Sequence, residues 1–449
     1  MQRLPRWLGV GFLWMMVSCA GTPVPGEAAA RADVEATSRA YRPNDDLPPL
    51  PELISTSPPA DFVRYACLRS PDVAARFYAW RAAVEEITVA RSLPDPVLSF
   101  GADLGSMLSA LTPALSATFP PSGRLRWAGE AQRQLALAER TSFEAALVET
   151  AAETWSVYHE VLLVERTLGI NREIDQLLAD FEDIVGIQLQ VARVTQQDLL
   201  RVQIEREEVK NEIRSLDDTR TVLAARLRRV LGIPAGEPDP PFPSQDPAVE
   251  SSMPDNDLLA ELLESNPELR ARKALVLEAQ SLVELARSTG GSEVMLKTGV
   301  NTISPVVFSP EISFSLPIWE DKIAATIAGA AARRRGAESD LDSARLARVL
   351  DLAQWMFLWR DAGRRLDLIR DRQLPKAVAA LEVARASYSN SKTDITALLD
   401  AERSVRSFKL TEARARSERE SAWARVVYQL LGRPPVTFTS NAPKEGERK

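Results

Sequence analysis

Two stretches of this chain, 200 positions apart, end in the same way: Val230-Leu231-Gly232-Ile233-Pro234 closes one long helical pattern and Leu430-Leu431-Gly432-Arg433-Pro434 closes another. Upstream, Ser70-Pro71 answers Asn266-Pro267 and Ala90-Arg91 answers Ala286-Arg287, both 196 apart, while Phe119-Pro120 answers Leu316-Pro317 at 197. A drift this small requires only a few short insertions, so the chain is a tandem duplication. Two copies of one long unit, each needing the other to cover its apolar stripe, predict an elongated quasi-symmetric body rather than two independent globules.

Proline marks the joints between the copies. Residues 21–59 carry Pro23, Pro25, Pro43, Pro48, Pro49, Pro51, Pro58 and Pro59, which predicts an extended arm without a core of its own. Residues 233–254 repeat that character and read as a connector, and 433–449 as a loose polar tail. The resulting division is 1–18 signal peptide, 19–59 arm, 60–232 first repeat, 233–254 connector, 255–432 second repeat and 433–449 tail.

Between the joints the periodicity is helical over unusual lengths. Ile170, Ile174, Leu177, Phe181 and Ile184 step by 4, 3, 4 and 3, as along a coiled-coil seam, and Leu374, Val378 and Leu381 do the same in the second copy. From Arg124 to about Leu189 a continuous helix would reach roughly 100 Å at 1.5 Å per residue. A turn near 190–195 or 390–395 then leads into a returning helix, Gln196 to Leu231 and Ile395 to Leu431. Pro375 should kink the second long helix, because its ring removes a backbone donor.

Each copy is interrupted by two short alternating segments. Leu98, Phe100, Ala102 and Leu104 alternate with Ser99, Gly101 and Asp103, and Leu115, Ala117 and Phe119 with Ala114, Ser116 and Thr118. In the second copy Ile312, Phe314 and Leu316 alternate with Glu311, Ser313 and Ser315, whereas Val294 to Ile303 is less clean, since Met295 and Lys297 share a face. Such strands suit either a half-buried sheet or the wall of a membrane β-barrel, with Leu98, Phe100, Phe119, Ile312, Phe314 and Leu316 toward lipid. The smallest membrane barrels need about eight strands, so four of them span lipid only in an oligomer. Three chains would supply twelve.

The first residues bear on compartment. Arg3 and Arg6 precede an apolar run, Trp7 to Val17, too short to span a bilayer, and Met16-Val17-Ser18-Cys19 resembles a bacterial lipobox, which makes Cys19 the expected acylated N-terminus. Ala20 after that cysteine, rather than aspartate, is the sorting signal expected for the outer membrane. Loss of Arg3 and Arg6 takes the formal charge from −7 to −9, which speaks against nucleic acid as a partner. Only Cys67 would then remain, so no disulfide can form within the chain, and its helical apolar context predicts an inert core thiol.

Taken together, these motifs resemble the outer membrane efflux proteins of the TolC family, over about residues 52–432. The likeness lies in Ala90-Arg91-Ser92-Leu93-Pro94-Asp95-Pro96 before the strands, Phe119-Pro120-Pro121-Ser122-Gly123-Arg124 entering the long helix, Leu316-Pro317-Ile318-Trp319 in the second copy, and Gln373-Leu374-Pro375. The resemblance implies a mainly α fold with a small β part. Tandem helical hairpins would form an α-barrel, and four strands per chain would join a trimeric 12-stranded transmembrane barrel. It further implies a homotrimer working with a periplasmic adaptor and an inner membrane transporter of the resistance-nodulation-division type.

By the same resemblance the helix turns are periplasmic tips, where the family carries a glycine six residues before an acidic position. Ala192 and Asp198 take those places in the first tip, and Ser391 takes the glycine place in the second. The first of the second tip's gate aspartates is replaced by Ala397, the next is kept as Asp400, and the gate arginine is replaced by Thr393, beside Lys392 and Asp394. Asp400, Asp394, Lys392, Thr393 and Asp198 are thus the candidate gate residues. Three Asp400 side chains around a threefold axis would make a ring that disfavours anions.

Nothing in the sequence points to catalysis, a metal or a cofactor. His159 is the lone histidine, on a long helix beside Tyr158, where a packing role is expected, and there is no glycine-rich phosphate loop. The competing reading is a periplasmic coiled-coil adaptor or scaffold lipoprotein. Two hairpins in tandem with four alternating strands favour the duct.

Overall fold

Each repeat is laid out as two short helices, a strand, a second strand, a long outgoing helix and a returning one. In the computed structural model, which describes residues 23–104, 108–244, 252–254, 257–301, 306–390 and 392–433, the first repeat comprises α2 (Pro59–Arg69), α3 (Pro71–Arg91), β1 (Val97–Leu104), β2 (Leu108–Phe119), α4 (Arg124–Gln190) and α5 (Gln196–Leu231), preceded by α1 (Glu27–Tyr41). The second comprises α6 (Leu258–Ser265), α7 (Pro267–Ser288), β3 (Val294–Asn301), β4 (Val307–Phe314), α8 (Glu320–Leu368), α9 (Leu374–Ser389) and α10 (Ile395–Ala424). At 67 residues, α4 is about 100 Å long. No described helix is long and apolar enough to cross a membrane.

The sequence landmarks of the duplication meet in space. Gly232 and Gly432 end their returning helices at φ 65° and 64°, a left-handed conformation that glycine reaches without a Cβ penalty. Each abuts the joint between the two short helices of its own repeat. A Cβ on Gly232 would come within 2.9 Å of the Arg69 carbonyl oxygen, and one on Gly432 within 2.7 Å of Pro267 Cδ. Those joints are capped alike: Ser70 accepts from the Val73 amide at 3.4 Å, and Asn266 from the Leu269 amide at 3.1 Å. Asn266 also donates to the Leu430 carbonyl at 2.9 Å, fastening the end of repeat 2 to its beginning.

The predicted extended arm needs correction. Glu27–Tyr41 is helical, because this stretch between Pro25 and Pro43 is free of proline and rich in alanine. Val34, Thr37 and Tyr41 share its buried face, and Tyr41 packs edge-on against Phe77 and Phe143 with ring centroids at 5.3 and 5.4 Å. Glu27 accepts from Arg91 Nε at 2.6 Å and from Thr88 Oγ1 at 2.8 Å, binding α1 to α3. The arm also meets the connector, where the Ser244 amide donates to the Ser55 carbonyl at 2.8 Å.

At Pro375 the helix widens rather than breaking: Ile369–Gln373 forms a π turn just before Leu374, which accommodates the missing donor. Cys67 is buried, with its pKa pushed up to about 12 by desolvation, which makes it unreactive. His159 is buried among Trp155 and Tyr158, and desolvation with the charges of Arg166 and Arg416 lowers its pKa to about 3, so it stays neutral.

Candidate functional site: the strand wall and the hairpin tips

The four strands form one antiparallel sheet in the order β1-β2-β3-β4. Register pairs Leu98 with Leu115 and Phe100 with Pro113, and aligns Phe119, Val294 and Phe314 across three strands and Ala117, Leu296 and Ile312 likewise. Successive side chains alternate across a sheet, so these residues share one face, while Ser99, Ser116, Lys297, Glu311 and Ser313 share the other. Leu98, Phe100, Ile312 and Phe314 are each at least 61% exposed, Phe119 is partly covered, and Leu316 is exposed just beyond β4. On the polar face Lys297 Nζ lies 3.8 Å from Glu311 Oε2. Within the chain β1 and β4 each pair on one side only, leaving two open edges.

Far along the chain from the strands, each long helix turns back through a tip. In the first, the Arg193 amide bonds to the Gln188 carbonyl at 2.9 Å, a Schellman closure that puts Ala192 at φ 54°. This position is therefore left-handed, and alanine holds it under strain. Thr195 and Asp198 then form a capping box: Asp198 Oδ2 accepts from the Thr195 amide at 2.9 Å, and Thr195 Oγ1 accepts from the Asp198 amide at 3.3 Å. In the second tip the Lys392 amide bonds to the Ser387 carbonyl at 2.9 Å, and Asp394 caps α10 by accepting from the Ala397 amide at 3.0 Å. Asp198 and Asp394 thus each satisfy a helix start. The pattern Thr195-x-x-Asp198 was a signal for this in the sequence.

The two tips lie side by side. Arg201 Nη1 donates to Thr396 Oγ1 at 2.9 Å between them, and a cleft of about 520 Å³ is lined by Ala192, Thr195, Asp198, Tyr388, Lys392, Thr393 and Asp394. Four of the five gate candidates, and one of the two turn residues, are therefore brought together. Asp400 stands apart from that cleft, its carboxylate 65% exposed and 3.7 Å from Arg403 Nη1. Sequence periodicity did not single out Tyr388, which is buried at the cleft. Its hydroxyl has no hydrogen-bond partner among the described residues, and burial, then the charge of Asp198, pushes its pKa up to about 12. Cys19 and Ser391 lie outside the described residues.

Residues 258–433 match the family model described as outer membrane efflux protein. Among solved structures the chain is similar to the outer-membrane channel OprN, with a TM-score of 0.74 and 18% identity over 96% of this chain and 98% of that one. It is also similar to CusC, with a TM-score of 0.73 and 17% identity over 84% of this chain and 93% of the other. The open state of the Neisseria gonorrhoeae MtrE outer membrane channel gives 0.71 and 18% over 83% and 88%. Among curated proteins there is no significant match. The match to the outer membrane efflux protein model thus covers the second repeat, 258–433, and the chain as a whole has the fold of these outer-membrane channels.

Proposed function

We propose that this chain is the exit duct of a tripartite efflux pump: a lipid-anchored homotrimer whose strands cross the outer membrane and whose hairpins continue as a tunnel into the periplasm. The observation that carries this reading is the sheet, with one exposed apolar face, one polar face and two open edges. A sheet edge cannot remain unpaired in lipid, so β4 of one protomer must pair with β1 of the next, and three protomers close twelve strands. The helices support the same assembly. Leu346, Leu350 and Phe357 on α8, and Ile204 and Val222 on α5, are each at least 57% exposed, apolar surface for a neighbouring copy to cover.

In this reading the duct is passive. The inner membrane transporter, of the resistance-nodulation-division type, supplies energy and a periplasmic adaptor joins it to the tips. Cys19 is the acylation site, which holds the newly exported monomer at the membrane before assembly. The cleft residues Asp198, Lys392, Thr393 and Asp394 form the periplasmic end, and Asp400 lines the passage beyond them.

Detergent extraction, mass measurement and planar-bilayer recording test the proposal. A trimeric mass with stable conductance supports the duct. A monomer that conducts nothing yet binds membrane partners through its hairpins would establish the adaptor reading instead. Metabolic labelling with a palmitate analogue should mark the parent and not Cys19→Ser, and equal label in both would remove Cys19 as the anchor.

A further inference from the structure

Hydrophobic packing does not account for one position between the two hairpins. On α10, Ile395, Leu398, Glu402 and Val405 step by three, four and three along a buried stripe, and on α5 Val202, Glu205 and Val209 step by three and four along another. All seven side chains belong to residues no more than 3% exposed. Each stripe therefore carries a carboxylate where a coiled-coil seam calls for an apolar residue.

The two acids are not equivalent. Glu205 accepts from Arg403 Nε at 2.9 Å and again from its Nη2. Among the described residues, neither oxygen of Glu402 has a hydrogen-bond partner. The nearby cations are engaged elsewhere: Arg403 with Glu205, and Arg406 with Glu212 and, at 3.1 Å, with Asn171 Oδ1. Facing Glu402 are thus Glu205 from α5 and Arg403 and Arg406 from its own helix. On α4, Asn171 is uncharged and Glu173 is bound to Lys409 at 2.7 Å, while α9 contributes Ala377 and Leu381 to the apolar core that also holds Leu398 and Val405. An unpaired carboxylate in such a seam is tolerable when neutral and costly when ionised. Burial, and then the charge of Glu205, pushes its pKa up to about 7 against the pull of Arg406 and Arg403.

We propose that Glu402, set against Glu205, is a proton-operated latch between the hairpins: neutral, it lets α5 and α10 close, and ionised, it forces the seam apart and loosens the tip contacts beyond it. Those contacts include the Arg201–Thr396 hydrogen bond, about one to two turns toward the tip. The consequence for transport, a tunnel end that opens as periplasmic pH rises, rests on the channel reading. The latch itself is a property of the single chain.

Nitroxide labels at Gln197→Cys and Lys392→Cys, exposed positions on the two tips, report the separation by pulsed electron resonance in the full-length protein. The short-distance population should fall severalfold as pH rises through about 7. Glu402→Gln, which keeps the shape and cannot ionise, should hold the tips closed across the range, with Glu402→Leu as a second uncharged variant. Glu205→Gln should move the transition to lower pH by removing the neighbouring negative charge. A flat profile in the parent, or an unchanged transition in both Glu402 variants, overturns the latch. Conductance measured on the same samples separates the two readings: a conducting protein with pH-insensitive tips overturns the latch alone, and pH-sensitive tips in a protein that forms no pore overturn the channel alone.

Discussion

Gly432 rests against Pro267 so closely that a Cβ would fall 2.7 Å from the proline Cδ, and Gly232 meets the Arg69 carbonyl and Pro71 in the same way one repeat earlier. Both glycines also hold a positive φ. Gly432→Ala should therefore lose about 1 to 2 kcal/mol from the left-handed backbone alone, with the steric overlap adding to it. Gly186→Ala is the control, since it lies inside α4 with nothing within 4 Å of its added carbon, and it should gain up to about 1 kcal/mol. Thermal unfolding of the two variants decides it, and a Gly432→Ala protein as stable as the parent would mean that the repeat ends do not dock as described.

Ala192 offers the reverse experiment. With φ at 54° it occupies a conformation that costs an L-residue about 1 kcal/mol or more. Ala192→Gly should stabilise the first tip, read as slower hydrogen exchange of the Arg193 amide, which closes the turn onto Gln188. Faster exchange would show that the added backbone freedom outweighs the relief of strain.

The two faces of the sheet should respond differently to charge. In the proposed barrel, arginine at Phe100 or Phe314 should cost roughly 2 to 4 kcal/mol near the bilayer midplane, while arginine at Ser99 or Ser313, on the opposite face, should be tolerated. Heat-resistant trimer on gels measures both. Equal damage at the serine and phenylalanine sites would contradict the assigned faces.

Stability should depend on pH through Glu402. Its pKa is raised by folding, so between about 4.5 and about 7 the unfolded chain has released a proton that the folded chain keeps. Rising pH then favours the unfolded state. The contribution is fully present below the lower value, is lost across that window, and levels off above about 7, a total on the order of 3 kcal/mol. In Glu402→Gln this part of the pH dependence should vanish, and chemical denaturation at several pH values would show whether it does.

The strands and long helices were legible because their periodicities are local. Alternation at Leu98 and Phe100, and the steps from Ile170 to Ile184, state which side chains need cover without reference to any partner. The duplication was legible for the same reason: Gly232 and Gly432, with their X-Pro counterparts at Pro71 and Pro267, are short motifs held by backbone conformation and close approach. The helix Glu27–Tyr41 was masked by the prolines on either side, and what fixes it is distant, Tyr41 entering the aromatic core of Phe77 and Phe143. At the tips, the sequence showed acids without showing their use. Asp198 and Asp394 became helix caps only once the turns were closed, and Asp400 fell outside the cleft that gathers the others. Glu205 and Glu402 were invisible for a related reason. An acid every few turns of a charged helix looks solvated, and only the packing of one hairpin against the other removes water from these two and leaves one of them without a partner.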